Sequence, residues 1–220
     1  MNKKVILLVL AIVVIAFGGV LSVNGNLNAE PVLENKMTAY AVTSQWDENK
    51  ENWSVSFDEL MAQCNFNQVM SPQKDDVLAE DAEIRNLATG LCAGAETDIE
   101  KIYKLHEFTS NISYLVYSDW RNASDVLETG AGDCTDKSVL LVSMLRAMGI
   151  ESYIVYGGAL ENDTHAWVVA RVDNAWLQLD PTVSDFDFVY KCLDNEECEY
   201  KEYYGKLRGM FNDATFLECK

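Results

Sequence analysis

One stretch of the sequence decides the fold: TGAGDCTDKSVLLVSMLRAMGI, residues 129–150. In it a glycine-rich turn leads into an apolar run that starts at or just before Cys134 and ends near Met148. Apolar residues occupy most of the helical circumference, so we expect a buried helix. Gly149 is well placed to end this helix as a left-handed C-terminal cap.

The segments on either side of this helix predict its partners. Three strand-like runs follow it, at residues 152–156, 166–172 and 175–179, and the last two are separated by Asp173-Asn174, a two-residue hairpin signal. Upstream, helices are predicted over Asp76–Cys92 and, after a capping box that begins at Thr97, as far as about Ser110. This order indicates an α+β fold, with the buried helix packed on an antiparallel sheet.

The N-terminal residues predict export. Lys3 and Lys4 precede an almost unbroken apolar run from Val5 to Val23, which as a helix would rise about 28 Å, close to a hydrocarbon core of about 30 Å. A cleaved signal peptide has a shorter apolar region, so residues 1–23 are predicted to be an uncleaved signal anchor, with a cleaved signal and secretion as the alternative. The two lysines place the N-terminus inside the cell membrane and the rest of the single-pass chain outside.

The rest of the chain divides into a tether and one domain. Residues 24–52 are polar and lack apolar periodicity, which is typical of a tether, and residues 53–220 are long enough for one extracytoplasmic domain. Residues 5–220 carry 15 basic and 35 acidic side chains, a net charge of −20. That charge repels nucleic acid and anionic lipid headgroups. It is compatible with a salty medium, with bound cations or with a basic substrate, and the sequence does not choose among these. The oligomeric state is not indicated.

Six cysteines are compatible with an oxidising exterior; they are Cys64, Cys92, Cys134, Cys192, Cys198 and Cys219. If Cys134 is a free nucleophile, two disulfides and one spare thiol is the simplest arrangement, and Cys192 with Cys198 could close a short loop. The chain has no Cys-x-x-Cys pair, and the acidic groups at 185–187 and 194–197 lack a complete calcium loop. No metal or cofactor is therefore predicted.

Three residues have the chemistry of an activated cysteine nucleophile. At a helix start, exposed backbone N–H groups and the helix dipole favour the thiolate of Cys134, and the Cys134 N–H itself is a natural oxyanion donor. His165, which opens one strand, is the candidate base, and Asp180, which closes the next, is the candidate group that fixes the histidine tautomer. Antiparallel pairing brings these two strand ends to one edge of the sheet.

Each of these residues also has a structural interpretation. A cysteine at a helix start is often an ordinary buried thiol, and an aspartate before proline is often a turn residue. His106, the only other histidine, lies on an apolar helix face and is predicted to be a hydrogen-bonded core residue. The three candidates gain weight only because they occur together.

Taken together, the motifs resemble the transglutaminase-like superfamily. The resemblance covers about residues 95–183 and is carried by GAGDCTD at 130–136, LVSMLRAMGI at 141–150, HAWV at 165–168, Trp176 and LDPT at 179–182. It implies a papain-like core with Cys134 as nucleophile, His165 as base and Asp180 as orienting acid. It also implies acyl transfer from amides through a thioester. The family's second oxyanion donor is not evident here, and Trp120 and Asn122 are the candidates for it.

We therefore expect a membrane-tethered cysteine peptidase or amidohydrolase that acts outside the cell on proteins or envelope peptides. Hydrolysis is favoured over crosslinking because water is abundant and nothing in the sequence marks a lysine-accepting channel. Two alternatives remain open. One is a transglutaminase that transfers the acyl group to an amine, and the other is a non-catalytic surface binding module.

Overall fold

The computed structural model describes residues 57–160 and 163–220. The predicted signal anchor and tether, residues 1–23 and 24–52, lie outside this part of the chain. None of the helices formed by the described residues is long and apolar enough to cross a membrane.

The described residues form helices and strands that alternate along the chain. The helices are 57–62 (α1), Ala82–Leu91 (α2), Asp98–Ser110 (α3), Ala123–Thr129 (α4), Cys134–Ala147 (α5), Phe188–Leu193 (α6) and Lys201–Tyr204 (α7), with a 3-10 turn at Pro72–Asp76. The strands are Phe66–Gln68 (β1), Ser113–Tyr114 (β2), Ala131–Gly132 (β3), Ser152–Leu160 (β4), Asp163–Val172 (β5), Ala175–Leu179 (β6), Leu207–Phe211 (β7) and Phe216–Cys219 (β8).

Six of the strands form one antiparallel sheet in the order β1-β8-β7-β4-β5-β6. The predicted meander is the β4-β5-β6 half of this sheet, and β5 pairs with β6 from Val168 opposite Leu179 to Val172 opposite Ala175. Between them Asp173 and Asn174 have φ of 50° and 65°, the left-handed conformation that a tight hairpin needs at both turn positions. Mixed helices and antiparallel sheet confirm the α+β prediction.

Helix α5 lies at the centre of the molecule, as predicted. Residues 136–145 are buried without exception. Helix α5 packs on β4 and β5, and it also contacts α2, α3 and α4. Gly149, with φ of 79°, follows the helix as its left-handed cap. The opposite face of the sheet is covered by α1, α6 and α7, so the sheet is buried on both sides.

The structure corrects one predicted helix and adds half of the sheet. Of the helix predicted over Asp76–Cys92, only Ala82–Leu91 is α-helical, because Asp81 caps the helix start by accepting from the N–H groups of Glu83 and Ile84. Strands β1, β7 and β8 have no counterpart among the predicted strands. They are three to five residues long, too short to show a clear alternation of polar and apolar residues.

The disulfide arrangement agrees with the prediction. Cys64 pairs with Cys219 and Cys192 with Cys198, at Cα–Cα distances of 5.1 and 5.3 Å. Cys134 is a free cysteine, as is Cys92. The first disulfide joins the start of the described chain to β8, and the second holds the turn between α6 and α7.

Replacing both Cys64 and Cys219 by alanine is expected to lower the free energy of unfolding by about 2–4 kcal/mol. The disulfide spans 155 residues, so its removal frees a large loop in the unfolded state. The measurement is denaturant unfolding of the full chain in mild detergent. The matched pair Cys192→Ala with Cys198→Ala, which opens only a short loop, should cost less, and an equal or larger loss would contradict the loop argument.

Candidate active site

Cys134 is the first residue of α5, and a capping box fixes its position. The Asp133 carboxylate accepts from the N–H groups of Thr135 and Asp136 at 2.9 and 3.1 Å, and the Asp136 carboxylate accepts from the Asp133 N–H. The Cys134 N–H has no acceptor among the described residues. It is the kind of free helix-start donor that can bind a developing oxyanion.

The turn that precedes Cys134 is held by Arg121. The Arg121 guanidinium lies 3.0 Å from the Asp136 carboxylate and also donates to the Ala131 carbonyl oxygen. Gly132 permits this packing, because a Cβ there would lie 2.6 Å from the Asp136 Cβ. The glycine and the ion pair together fix the backbone immediately before the thiol.

His165 contacts both of the other candidate residues. Its Nε2 lies 2.7 Å from Asp180 Oδ2, and its ring is close enough to Cys134 for the thiol to raise the pKa of His165. Since Nε2 is engaged by Asp180, Nδ1 is the nitrogen that remains for the thiol. The β5–β6 hairpin positions this pair, as the strand pairing predicted.

The surroundings of His165 favour its charged form. Burial by itself lowers the pKa of His165, because the imidazolium loses solvation. The interactions with Asp180 and Cys134 outweigh burial and raise the pKa to about 9. His165 is therefore an imidazolium at neutral pH, able to stabilise a thiolate and to give up a proton.

Asp180 is almost fully buried, with 1% of its surface exposed, and it is surrounded by donors. Besides His165, its carboxylate accepts from the Thr182 N–H at 2.8 Å, from the Thr182 hydroxyl at 2.6 Å and from the Tyr204 hydroxyl. Burial raises the pKa of Asp180, but these bonds outweigh burial and hold the pKa below its usual range. The carboxylate therefore stays ionised.

His106 fixes the backbone of Asp180. It is 1% exposed, and its Nε2 donates to the Asp180 carbonyl oxygen at 2.9 Å. Burial lowers the pKa of His106, which favours the neutral ring. It is a hydrogen-bonded core histidine, as the structural interpretation of the sequence predicted.

Tyr204 is a site residue that sequence reasoning missed. Helix α7 brings its hydroxyl to Asp180 and its ring to 5.7 Å from the His165 ring, with Tyr200 and Tyr203 at 6.0 and 5.9 Å. The close approach depends on Gly157 in β4, where a Cβ would collide with the carbonyl oxygens of Tyr203 and Lys206. The sequence signal that could have pointed to this helix is the group of three tyrosines within residues 200–204.

The two candidates for a second oxyanion donor have other contacts. Asn122 caps α4 through its side-chain oxygen, which accepts from the Asp125 N–H at 3.0 Å, so its side chain is already engaged. The Trp120 ring packs on Phe211 at 5.7 Å between centroids.

The acidic pair Asp185 and Asp187 binds the Lys191 ammonium at 2.8 and 2.6 Å, which agrees with a charged surface.

Replacing Tyr204 by phenylalanine is expected to lower kcat/KM about 10-fold and to move the acid limb of its pH profile upward. The hydroxyl helps to hold the pKa of Asp180 low, so its loss raises that pKa, and the carboxylate protonates at a higher pH. The measurement is kcat/KM from pH 4 to pH 9, with Tyr200→Phe as a control whose ring also contacts His165. An unmoved acid limb would count against the role of this hydroxyl.

Comparison with known proteins gives a family match. Residues 85–181 match the family model of the transglutaminase-like superfamily, a segment that runs from α2 to the residue after Asp180 and contains all three candidate residues. A search of curated proteins found no match.

The chain is also similar to solved structures. One is a candidate cysteine protease from Cytophaga hutchinsonii, with 18% identity, a TM-score of 0.47, and 68% of this chain and 48% of that chain covered. EGTA-treated LapG from Legionella pneumophila has 19% identity and a TM-score of 0.46, with 70% of this chain and 88% of the LapG chain covered. A TGase has 17% identity and a TM-score of 0.36, with 61% and 38% covered. The chain thus spans about half the length of the Cytophaga protein.

Proposed function

We propose that this chain is a membrane-tethered, extracytoplasmic cysteine peptidase or amidohydrolase, because residues 85–181 match the family model of the transglutaminase-like superfamily. The observation that carries the proposal is the contact of one imidazole, His165, with both Cys134 and the buried carboxylate of Asp180. A thiol, an imidazolium and a carboxylate joined in this way are the parts of an activated cysteine nucleophile.

The chemistry follows from the positions of these groups. The Cys134 thiolate attacks the amide carbonyl carbon, and the oxyanion is bound by the Cys134 N–H. Nδ1 of His165 then gives its proton to the leaving amine, the C–N bond breaks and a thioester remains on Cys134. The neutral His165 takes a proton from water, the resulting hydroxide displaces the thiolate, and the acid product leaves. Asp180 keeps the Nε2–H of His165 in place throughout.

Hydrolysis is the proposed outcome, with amine transfer as the alternative. Both share the thioester and differ only in the group that attacks it. Water is abundant around an extracytoplasmic domain. Nothing in the sequence marks a channel that would admit an acceptor lysine to the thioester. The free state of Cys134 speaks against a binding module in which a disulfide would hold this thiol.

The membrane tether in this proposal rests on the sequence. The apolar run from Val5 to Val23, preceded by Lys3 and Lys4, is long enough for a signal anchor. The two disulfides of the described domain are in keeping with an oxidising exterior. Protein or envelope-peptide substrates would then be met at the outer surface.

Intact-mass spectrometry tests the thioester. The full chain is incubated with casein and a dansyl-labelled primary amine, and Cys134 is examined for an acyl adduct that hydroxylamine removes. New amino termini in casein would support hydrolysis, and dansyl incorporation would support transfer. Absence of the adduct, of new termini and of dansyl incorporation would count against the proposal.

A further inference from the structure

A cavity opens beside the proposed nucleophile and is not used by the chemistry described above. Its volume is about 270 Å³, and both His165 and Thr135, the residue after Cys134, contribute to its wall. A group in this cavity would therefore lie next to the amide under attack.

One side of the cavity wall is aromatic and branched apolar. The apolar lining comes from the loop before α4 and from strands β4, β7 and β8, through Trp120, Ile154, Tyr156, Phe211 and Phe216. Phe211 and Phe216 stack with centroids 5.1 Å apart, Trp120 lies 5.7 Å from Phe211 and Tyr156 lies 6.0 Å from Phe216. The rings thus form one continuous surface.

This wall determines which chemical groups can bind. Ile154 and Phe211 are fully buried, and Phe216 is 7% exposed, so they offer no partner to a polar group that enters. A polar group without a partner loses its hydration uncompensated, whereas an apolar group gains from leaving water. The polar residues that line the cavity are all more exposed than these three side chains; they are Ser71, Gln73, Thr135, Thr164, His165 and Glu218.

The size of the cavity limits its occupant to a single side chain. Pockets that hold a whole small-molecule ligand span roughly 300–1,000 Å³, and this cavity lies just below that range. One bulky side chain of a bound peptide would fill it. A small side chain would leave part of the cavity empty.

We infer that this cavity is a specificity subsite, which binds one aromatic or large branched apolar side chain of the substrate close to the scissile amide. The inference rests on the proposed function for the identity of the reaction. It adds the substrate class, namely peptides with such a side chain at one fixed position near the cleaved bond. Two of its rings, Phe211 and Phe216, come from β7 and β8, which lie outside the segment that matches the family.

Cleavage of a peptide library by the full chain tests this substrate class. We expect the cleaved peptides to be enriched in Phe, Tyr, Trp, Leu or Ile at one position within two residues of the cleaved bond. Phe216→Ala should lower kcat/KM for such peptides about 10-fold relative to peptides with alanine there. Trp120→Ala removes a half-exposed ring and tests the same wall with less risk to folding.

A matched control separates the subsite from general packing. Phe108→Ala removes the same ring from α3, and Phe108 packs against the core without lining the cavity. It should leave the preference between the two peptide classes unchanged. Cleavage without an enriched position, or a preference that Phe108→Ala reduces as much as Phe216→Ala does, would overturn the subsite and leave the proposed function standing.

A binding measurement covers the case in which no peptide is cleaved. N-acetylphenylalaninamide is titrated against the tryptophan indole N–H resonances of the full chain, with N-acetylalaninamide as the control. A saturable shift that only the phenylalanine compound gives and that Phe216→Ala weakens would support the subsite while the proposed function fails. Without cleavage and without such a shift, both are overturned.

Discussion

Replacing Cys134 by alanine is expected to lower amide turnover by more than about 1,000-fold, because the thioester cannot form. The residue is half-buried and lies at the first position of α5. Its capping box is made by Asp133 and Asp136 rather than by the thiol, so the helix should be retained. The measurement is kcat/KM on whichever peptide the wild-type chain cleaves.

The second free cysteine provides the matched control. Cys92 is buried just after α2 and has no contact with His165 or Asp180, so Cys92→Ala should retain turnover at a small cost in stability. Circular dichroism of both variants verifies that the fold is kept. Equal activity of Cys134→Ala and the wild-type chain would remove the thiol from the mechanism.

Replacing His165 by alanine is expected to lower turnover by about 100- to 10,000-fold, because the leaving amine loses its proton donor. The same change should slow alkylation of Cys134 by iodoacetamide at least about 10-fold at pH 6.5. His165 has a pKa raised to about 9, so below that pH the wild-type chain carries beside the thiol a positive charge that the alanine variant lacks. An ordinary cysteine, with a pKa near 8.5, is only about 1% thiolate two units lower.

The alkylation rate is measured from pH 5 to pH 10 and assigned to Cys134 by mass spectrometry. The ratio of the wild-type alkylation rate to that of His165→Ala should be large below pH 7. It should fall as the pH rises through about 9, where His165 loses its proton. The alkylation rate of Asp180→Asn should lie between those of the wild-type chain and His165→Ala, because this change removes the negative charge that supports the imidazolium. Superimposable profiles for the wild-type chain and His165→Ala would mean that the imidazole does not act on the thiol.

The parts of the fold that could be predicted depend on local signals. A capping box and a left-handed glycine bound α5, and a two-residue turn sets the register of β5 against β6. That register alone brings His165 and Asp180 to the same edge. The central helix and the pairing of the two candidate residues were therefore accessible from short stretches of sequence.

The parts that escaped prediction depend on contacts between distant residues. Strand β1 is three residues long and pairs with β8 at the far end of the chain, so nothing near it in sequence indicates a strand. The Tyr204 hydroxyl finds its acceptor 24 residues upstream, and only packing of α7 on Gly157 brings the two together. A side chain that reaches the site through such long-range packing belongs to no short sequence motif.

The position of Tyr204 has a consequence for the newborn protein. Ribosomes make the N-terminal part of a chain first, so Cys134, His165 and Asp180 emerge before Tyr204 and before the two strands that follow it. Until β7 joins β4, the carboxylate lacks one of its donors and half of the sheet is missing. We expect the candidate site to reach its full reactivity only after Tyr204 and these two strands have folded.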